Sequence, residues 1–385
     1  IGITHSNLLK SLGNSDTLSN LPSAAYQWLT IVPVVVAWVF SRPKHLKPMM
    51  LIALGLMSAA TALVALSLWF DLSAQLRTIV VIAHGATFGA CNGVLITALW
   101  DALRRGVSTS RRGTALGYTF GCGPIFACVG ALLQDASFDG KLLGRSFGLT
   151  YPFNYMALFA TVAPLMLLAG LAMFLFTIPP SEDDSTSGTP LTEILSGLKQ
   201  FLTGGIVWYV VLIYIIVYSG GNAIFSNVSL HANEILGKES DTMGIQSFLR
   251  FGCKAIAGGL LGLLLSRSSP RATLIATTGT LLVGMTWALT TSGWWFMGTF
   301  GLLGAGELFG AYFPNYVATA SPKKYVRINM AYLSLLSIFI GFSSILFGAI
   351  SDNYGRIASF YASAAMLTLA LGMIAFLPKN PTPRE

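Results

Sequence analysis

Charged side chains inside long apolar segments are the residues of this sequence that could do chemistry. Glu307 lies in the apolar segment 294–319, and Arg250 and Lys254 lie in the segment 242–266. A charge inside a bilayer is costly, so a retained one pairs with another charge or lines a cavity. Glu307 could take up a proton, because burial favours the neutral form of a carboxyl group. It could also bind a cationic group of a solute, or serve as a structural partner for a nearby base.

Arg250 and Lys254 are four positions apart, so they lie on one face of a helix. Two like charges on one face repel each other unless an anion or an acid lies between them. They could hold a carboxylate or phosphate of a solute, Arg250 through its planar fork. They could instead pair with Glu307 or reach the membrane surface. These alternatives combine in one hypothesis: Glu307 competes with the solute for the basic face, and protonation of Glu307 frees that face.

Amide and phenol side chains in other apolar segments are further candidates for solute binding. For any one of them, hydrogen bonding between helices is the commoner role. Tyr26 could stack on a sugar or a base, or pack in the core, and His84 could titrate or bond a neighbouring helix. The residues expected to bind the solute or to couple it to protons are Glu307, Arg250, Lys254, Asn92, Asn222, Asn227, Gln27 and Tyr332.

Signs of catalytic, metal or cofactor chemistry are missing from the sequence. It contains no paired-carboxylate, Ser/His/Asp or metal-ligand arrangement with a spacing that suits catalysis, and no phosphate-binding glycine loop followed by Lys-Ser/Thr. The four cysteines all fall inside apolar segments, which indicates buried thiols. We therefore predict that the protein is not an enzyme and uses neither a metal nor another cofactor.

The composition is that of a membrane protein. Hydrophobic residues make up 54% of the chain and charged residues 10%, and the mean hydropathy is +0.68. Soluble domains contain about 25% charged residues. Several apolar runs exceed about 18 residues, which is long enough to cross a bilayer. The net charge of +8 does not indicate nucleic-acid binding, because the basic residues lie in short turns between apolar runs.

Internal similarity predicts two halves in the same orientation. Segments 89–112 and 304–327 share hydropathy and a basic end at an offset of 215, which places Glu307 on Asn92. Asn92 is therefore expected to face the same cavity as Glu307. The apolar runs that begin at Leu51 and Leu274 are also similar, at an offset of 223. Such internal similarity indicates that the fold is built from two similar units.

The apolar segments predict twelve membrane spans in an all-α, polytopic fold. The first segment is too short and polar to span, so we expect the natural protein to carry roughly 20 more residues before Ile1, about one span. The other predicted spans are 22–40, 49–70, 77–101, 113–135, 152–178, 204–228, 242–266, 272–291, 294–319, 326–351 and 355–377.

Basic loops predict the orientation. Loops 41–48, 102–112, 266–271 and 320–327 are rich in Lys and Arg and fall on one side, which the positive-inside rule assigns to the cytoplasm. The same side receives a mobile linker and the C-terminus. We predict a multi-pass protein of the bacterial plasma membrane with two six-helix halves, 1–178 and 204–385, joined by the cytoplasmic linker 179–203.

This pattern resembles the major facilitator superfamily, which has two parallel six-helix halves, a central cytoplasmic linker and basic turns after spans two, four, eight and ten. Its signature turn, Gly-x-x-x-Asp-Arg/Lys-x-Gly-Arg/Lys, survives in part at 262–270, where Ser266 replaces the aspartate. The first copy, at Ser41, lacks the acid as well. Segment 348–356 matches the signature turn more closely, but it follows span eleven on the predicted outer side. Asp352 in this segment is expected to cap a helix end.

The resemblance implies transport by alternating access, with a site near the midplane lined by spans one, four, seven and ten. We therefore expect a monomeric secondary active transporter of a small polar or anionic organic solute, coupled to protons. The lipid bilayer is its surroundings, and nucleic acid is not a partner. Two alternatives stay open: a drug or lipid exporter, and a transport-inactive assembly or complex subunit on the same scaffold, which the altered signature turns would suit.

Overall fold

Helices make up almost all of the described chain. The computed structural model describes residues 2–32, 36, 45–106, 109–139, 141–142, 145–146, 149–175, 177, 201, 205–237, 242–321, 329, 332–333 and 336–381. The predicted linker 179–203 lies outside these residues except for Phe201, and so does much of the basic loops 41–48 and 320–327.

The first half of the described chain contains six helices and one short β-ladder. Strands β1 (Lys141–Leu142) and β2 (Arg145–Ser146) pair antiparallel between the fifth and sixth helices. A 3₁₀ turn, Met173–Leu175, extends the sixth helix. The helices are α1 (Ile3–Ser11), α2 (Asp16–Leu29), α3 (Leu46–Trp69), α4 (Ala74–Gly106), α5 (Thr109–Asp139) and α6 (Phe153–Ala172).

The second half contains eight helices among the described residues, because two of the predicted spans are broken. A 3₁₀ turn, Gly293–Met297, leads into α11. The helices are α7 (Ile206–Gly221), α8 (Phe225–Leu236), α9 (Met243–Arg267), α10 (Pro270–Thr290), α11 (Gly298–Gly306), α12 (Phe309–Ala320), α13 (Ser337–Tyr354) and α14 (Arg356–Ala375). The predicted span 204–228 is thus divided between α7 and α8, and 294–319 between α11 and α12.

The chain is an integral, multi-pass membrane protein. Within the described residues, seven helices are long and apolar enough to cross a membrane, counting 206–236 as one. Large apolar side chains are exposed on the outside of the bundle, which suits lipid as the solvent. They include Ile52, Leu63, Phe126, Leu168, Phe342 and Leu369.

Two helix pairs join the halves through close backbone contact. Helix α2 packs against α13, and α5 packs against α9. A Cβ added to Gly348 of α13 would lie 2.6 Å from the Cα of Thr17, and one added to Gly244 of α9 would lie 2.3 Å from the Cβ of Asp135. Glycine at these positions therefore lets the two halves touch, as small residues do between membrane helices.

An ionic network, which we call the outer network, joins the halves at the end of the bundle opposite the turn between α9 and α10, and we call this end the outer end. Asp16 accepts hydrogen bonds from Nε and Nη2 of Arg356, at 2.8 and 3.0 Å, and pairs with Lys10. Arg356 also contacts Glu234 at 2.7 Å. The carboxylate of Asp352 accepts the backbone N–H groups of Asp16 and of the next residue, at 2.7 and 2.9 Å. Asp352 therefore caps a helix end, as expected. The helix that it caps is α2, which belongs to the other half.

Candidate solute-binding site

Two helix breaks lie in the second half of the chain. Helix α7 ends at Gly221 and α8 begins at Phe225, while α11 ends at Gly306 and α12 begins at Phe309. Asn222 occupies the first break, and Glu307 occupies the second. Interrupted helices at membrane depth occur where the freed backbone groups line a cavity or are buried in protein. Both breaks in this protein border the same cavity.

The cavity between the halves has a volume of about 360 Å³. This volume is at the low end of the range of small-molecule pockets, about 300–1,000 Å³. Aromatic and apolar side chains such as Phe88, Phe225 and Ile340 form part of its wall. The larger polar and charged side chains on the wall are Tyr26, Gln27, Asn92, Tyr218, Asn222, Arg250 and Glu307. A second depression of about 330 Å³, beside Arg271 and Lys379, lies on the surface away from these groups.

Glu307, Arg250 and Lys254 form one ion cluster at the cavity wall, which we call the charged triad. Nε of Arg250 donates to Oε2 of Glu307 at 3.0 Å, and Nη2 donates to Oε1 at 2.5 Å. Nζ of Lys254 lies 3.3 Å from Oε2. The side chains of Arg250 and Glu307 are each 15% exposed. With two cations and one carboxylate, the triad carries a net charge of +1 when Glu307 is ionised.

An aromatic ring and a glycine hold Arg250 in this position. The guanidinium carbon lies 4.1 Å from the ring centroid of Phe225, within cation–π range. A Cβ added to Gly304 would lie 2.2 Å from the carbonyl oxygen of Arg250, so the backbones of α9 and α11 are in contact. Glu307 follows Gly304 by about one helical turn. The glycine therefore brings the carboxylate within reach of the arginine.

An uncharged version of this arrangement occurs in the first half. A Cβ added to Gly89 would lie 2.0 Å from the carbonyl oxygen of Tyr26, so α4 touches α2 as α11 touches α9. Nδ2 of Asn92 donates to the Tyr26 hydroxyl at 2.6 Å. Gly89 and Asn92 correspond to Gly304 and Glu307 at the offset of 215. The cavity therefore has a charged wall in one half and a neutral polar wall in the other.

Comparisons with known proteins assign the fold. The family model described as Major Facilitator Superfamily matches residues 210–385. A D-xylose-proton symporter structure has a TM-score of 0.74 and 15% identity, covering 98% of this chain and 93% of that chain. Residues 210–385 thus match the Major Facilitator Superfamily by sequence, and the whole chain has the fold of these transporter structures. The expectation from the sequence is thereby confirmed.

Other superfamily structures agree. The fucose:proton symporter FucP of E. coli has a TM-score of 0.63 and 14% identity, over 97% of this chain and 96% of that one. The nucleoside transporter NupG has a TM-score of 0.67 and 10% identity, over 97% and 93%. A search of curated protein sequences found no match. At these identities the likeness shows the superfamily fold, while the domain boundaries and the count of twelve spans stay predictions.

Most of the predicted site residues lie around the cavity between the halves. Arg250, Glu307, Asn92, Asn222 and Gln27 line it, and Lys254 reaches it through Glu307. Nε2 of Gln27 donates to the hydroxyl of Tyr218 across the halves, at 3.1 Å. Whether these residues bind a solute remains a prediction, but the structure brings them together.

Two predicted site residues lie elsewhere. Asn227 is fully buried and outside the described cavity lining, where it accepts from Nδ2 of Asn20 and donates to the Phe347 carbonyl and to Ser359. Tyr332 is also outside that lining, with its ring 5.2 Å from that of Phe201. Helical periodicity alone could not show that Asn227 and Tyr332 pack against other parts of the protein instead of lining the cavity.

Among the cavity residues that the predicted set omitted are Tyr218 and Phe225. Tyr218 lies four positions before Asn222, so the helical spacing could have placed both on one face. Phe225 could not be found in this way, because it begins a new helix after the break. His84 bonds Nε2 of His5 at 2.9 Å and Thr61 at 3.1 Å, which is the interhelical alternative considered for it.

Proposed function

We propose that this protein is a proton-coupled secondary active transporter of a small polar organic solute, working by alternating access. The observation that carries the proposal is the carboxylate of Glu307, held by Arg250 at a helix break on the cavity wall. Structures of similar fold include a D-xylose-proton symporter and a fucose:proton symporter, and this likeness supports a hydroxylated solute and a proton.

Coupling follows because Glu307 and the solute share Arg250. While Glu307 is ionised, it occupies one edge of the guanidinium. A proton on Glu307 removes the charge that holds this pair and leaves Arg250 to the solute. Linkage requires the reverse as well, so a solute that binds Arg250 favours proton uptake by Glu307. Solute affinity should therefore rise as the pH falls.

Alternating access requires that each end of the cavity close in turn. The outer network and the bonds between Asn7, Asn20 and the second half join the halves at the outer end. We assign these contacts to the state in which the outer end is closed. In this proposal the moving bodies are 1–178 and 204–385, linked by 179–203. The linker and the C-terminus face the cytoplasm, the protein is a monomer in the plasma membrane, and it is not an enzyme.

The alternatives fit the site less well. A drug or lipid exporter calls for a larger, greasier cavity, whereas this one holds about 360 Å³ and a charged triad. A transport-inactive subunit has no need of a titratable carboxylate at a helix break, where a buried charge is costly to keep.

Uptake into proteoliposomes tests the proposal. Sugars, sugar acids and nucleosides are presented to the wild type, Glu307→Gln and Asp71→Asn, with and without an inward proton gradient. Asp71 is an 89% exposed acid in the turn between α3 and α4 and serves as the matched control. The gradient should drive accumulation by the wild type and the control, while Glu307→Gln should exchange solute without accumulating it. Gradient-driven accumulation by Glu307→Gln would refute the coupling role.

A further inference from the structure

Arg250 uses only one edge of its guanidinium on Glu307. Nε and Nη2 donate to the two carboxylate oxygens, at 3.0 and 2.5 Å. Within the described part of the chain, no protein group accepts a hydrogen bond from Nη1, although Arg250 lines the cavity. A guanidinium has five N–H donors, which can form paired bonds along more than one edge. The edge made by Nη1 and the second N–H of Nη2 is therefore left for a ligand.

The charges around the cavity favour one kind of ligand at that edge. Of the described residues that line the cavity, Arg250 is the one base and Glu307 the one acid, and Lys254 adds a second positive charge behind Glu307. The titratable groups that share the cavity wall are the phenols of Tyr26 and Tyr218. The part of the cavity wall formed by Arg250 and Glu307 therefore carries an excess of positive charge.

The opposite wall is polar but uncharged. Tyr26, Asn92 and Gln27 offer hydroxyl and amide groups, which suit the hydroxyl groups of a solute. A second carboxylate placed against this wall would be buried without a cation, which is unfavourable. One open guanidinium edge and one neutral wall together select a single anionic group.

We propose that the transported solute is a hydroxylated monocarboxylate of sugar size, whose carboxylate binds the open edge of Arg250 and whose hydroxyl groups face Tyr26, Asn92 and Gln27. This inference rests on the proposed function, because it names the solute class of the same site. It also explains the coupling: a second carboxylate on Arg250 lies beside Glu307, and two neighbouring carboxylates favour protonation of one. One proton and one monoanion together leave the charge of the triad at +1.

Binding to the purified full chain in nanodiscs tests the solute class. The probes share a six-carbon skeleton and differ in charge: D-glucose is neutral, D-glucuronate is a monoanion and D-glucarate is a dianion. Paired charge-assisted hydrogen bonds predict that glucuronate binds about 10- to 100-fold more tightly than glucose. Glucarate should bind more weakly than glucuronate. Isothermal titration at two pH values measures all three affinities.

Variants separate the arginine edge from general charge. Arg250→Lys keeps the charge but loses the planar edge, so it should lose most of the preference for glucuronate over glucose. Arg267→Lys is the matched control at an exposed position and should keep that preference. Glu307→Gln should bind glucuronate more tightly than the wild type does, without the dependence on pH.

The outcomes distinguish this inference from the proposed function. If glucose binds as tightly as glucuronate, or glucarate binds more tightly, the solute class is wrong. If none of the three probes binds, the class is wrong as well, and uptake of another solute driven by the proton gradient would leave the proposed function standing. If gradient-driven uptake persists in Glu307→Gln, the coupling fails even where the preference for glucuronate holds.

Discussion

Loss of one carboxylate from the outer network should open the outer end of the protein. Asp16 is 5% exposed and bonds two guanidinium nitrogens of Arg356, together with Lys10 and Ser351. Asp16→Asn keeps the shape of the side chain and removes its charge. In the proposed transport cycle, the network stabilises the closed outer end because it joins the two halves, and it is absent when that end is open.

The magnitude follows from the partners that remain. Breaking a buried ion pair costs about 3–5 kcal/mol when the remaining charge has no partner. Arg356 is 15% exposed and keeps Glu234, a 61% exposed acid, so the cost should be smaller. We expect about 2 kcal/mol, which corresponds to about a 30-fold change in the ratio of open to closed outer ends, since about 1.4 kcal/mol is tenfold.

Cysteine accessibility measures this change. Ser23 lines the cavity on α2, two helical turns beyond Asp16, and is changed to cysteine after the four native cysteines have been replaced. A membrane-impermeant maleimide added from the outer side should then react about 30-fold faster in Asp16→Asn. Asp71→Asn is the control, because Asp71 pairs with Arg77 inside the first half alone.

Two results would refute the reasoning. An alkylation rate in Asp16→Asn within twofold of the parent would show that the network does not hold the outer end closed. An equal increase in Asp71→Asn would show an effect of surface charge in general. A rate increase seen only from the opposite side would mean that the predicted orientation is reversed.

Three further substitutions test the site. Gly304→Ala should destabilise the protein by about 1–3 kcal/mol, because the added Cβ meets the Arg250 carbonyl. Gly310→Ala is the control and should cause no such loss, because its added Cβ meets open space. Thermal unfolding in detergent compares the two variants. Asn227→Leu should lower the melting temperature and leave solute affinity unchanged, since it strands buried partners at about 1–3 kcal/mol. Tyr26→Phe should weaken solute binding by about 2- to 13-fold with normal expression, because the hydroxyl that Asn92 contacts is lost; equal affinity would remove Tyr26 from the site.

The lipid bilayer that surrounds the protein explains how much of the fold could be predicted from the sequence. A bilayer demands apolar segments of fixed length, and basic residues mark the turns on one side. Helices α9, α10 and α14 therefore begin and end within a few residues of the predicted spans. The offset of 215 paired Glu307 with Asn92, and both face the cavity. Local hydropathy is enough for such predictions.

Contacts between residues distant in the sequence decided which side chains meet at the site. Helical spacing put Arg250 and Lys254 on one face, but only the backbone contact at Gly304 brings that face to Glu307. Asn227 was expected at the site, and its bond to Asn20, 207 residues away, buries it between helices instead. Hydropathy reports how long a helix is and how apolar, because each residue meets the same lipid. Which face meets which neighbour, and where a helix breaks, depends on packing across the whole bundle, and only the tertiary structure contains that information.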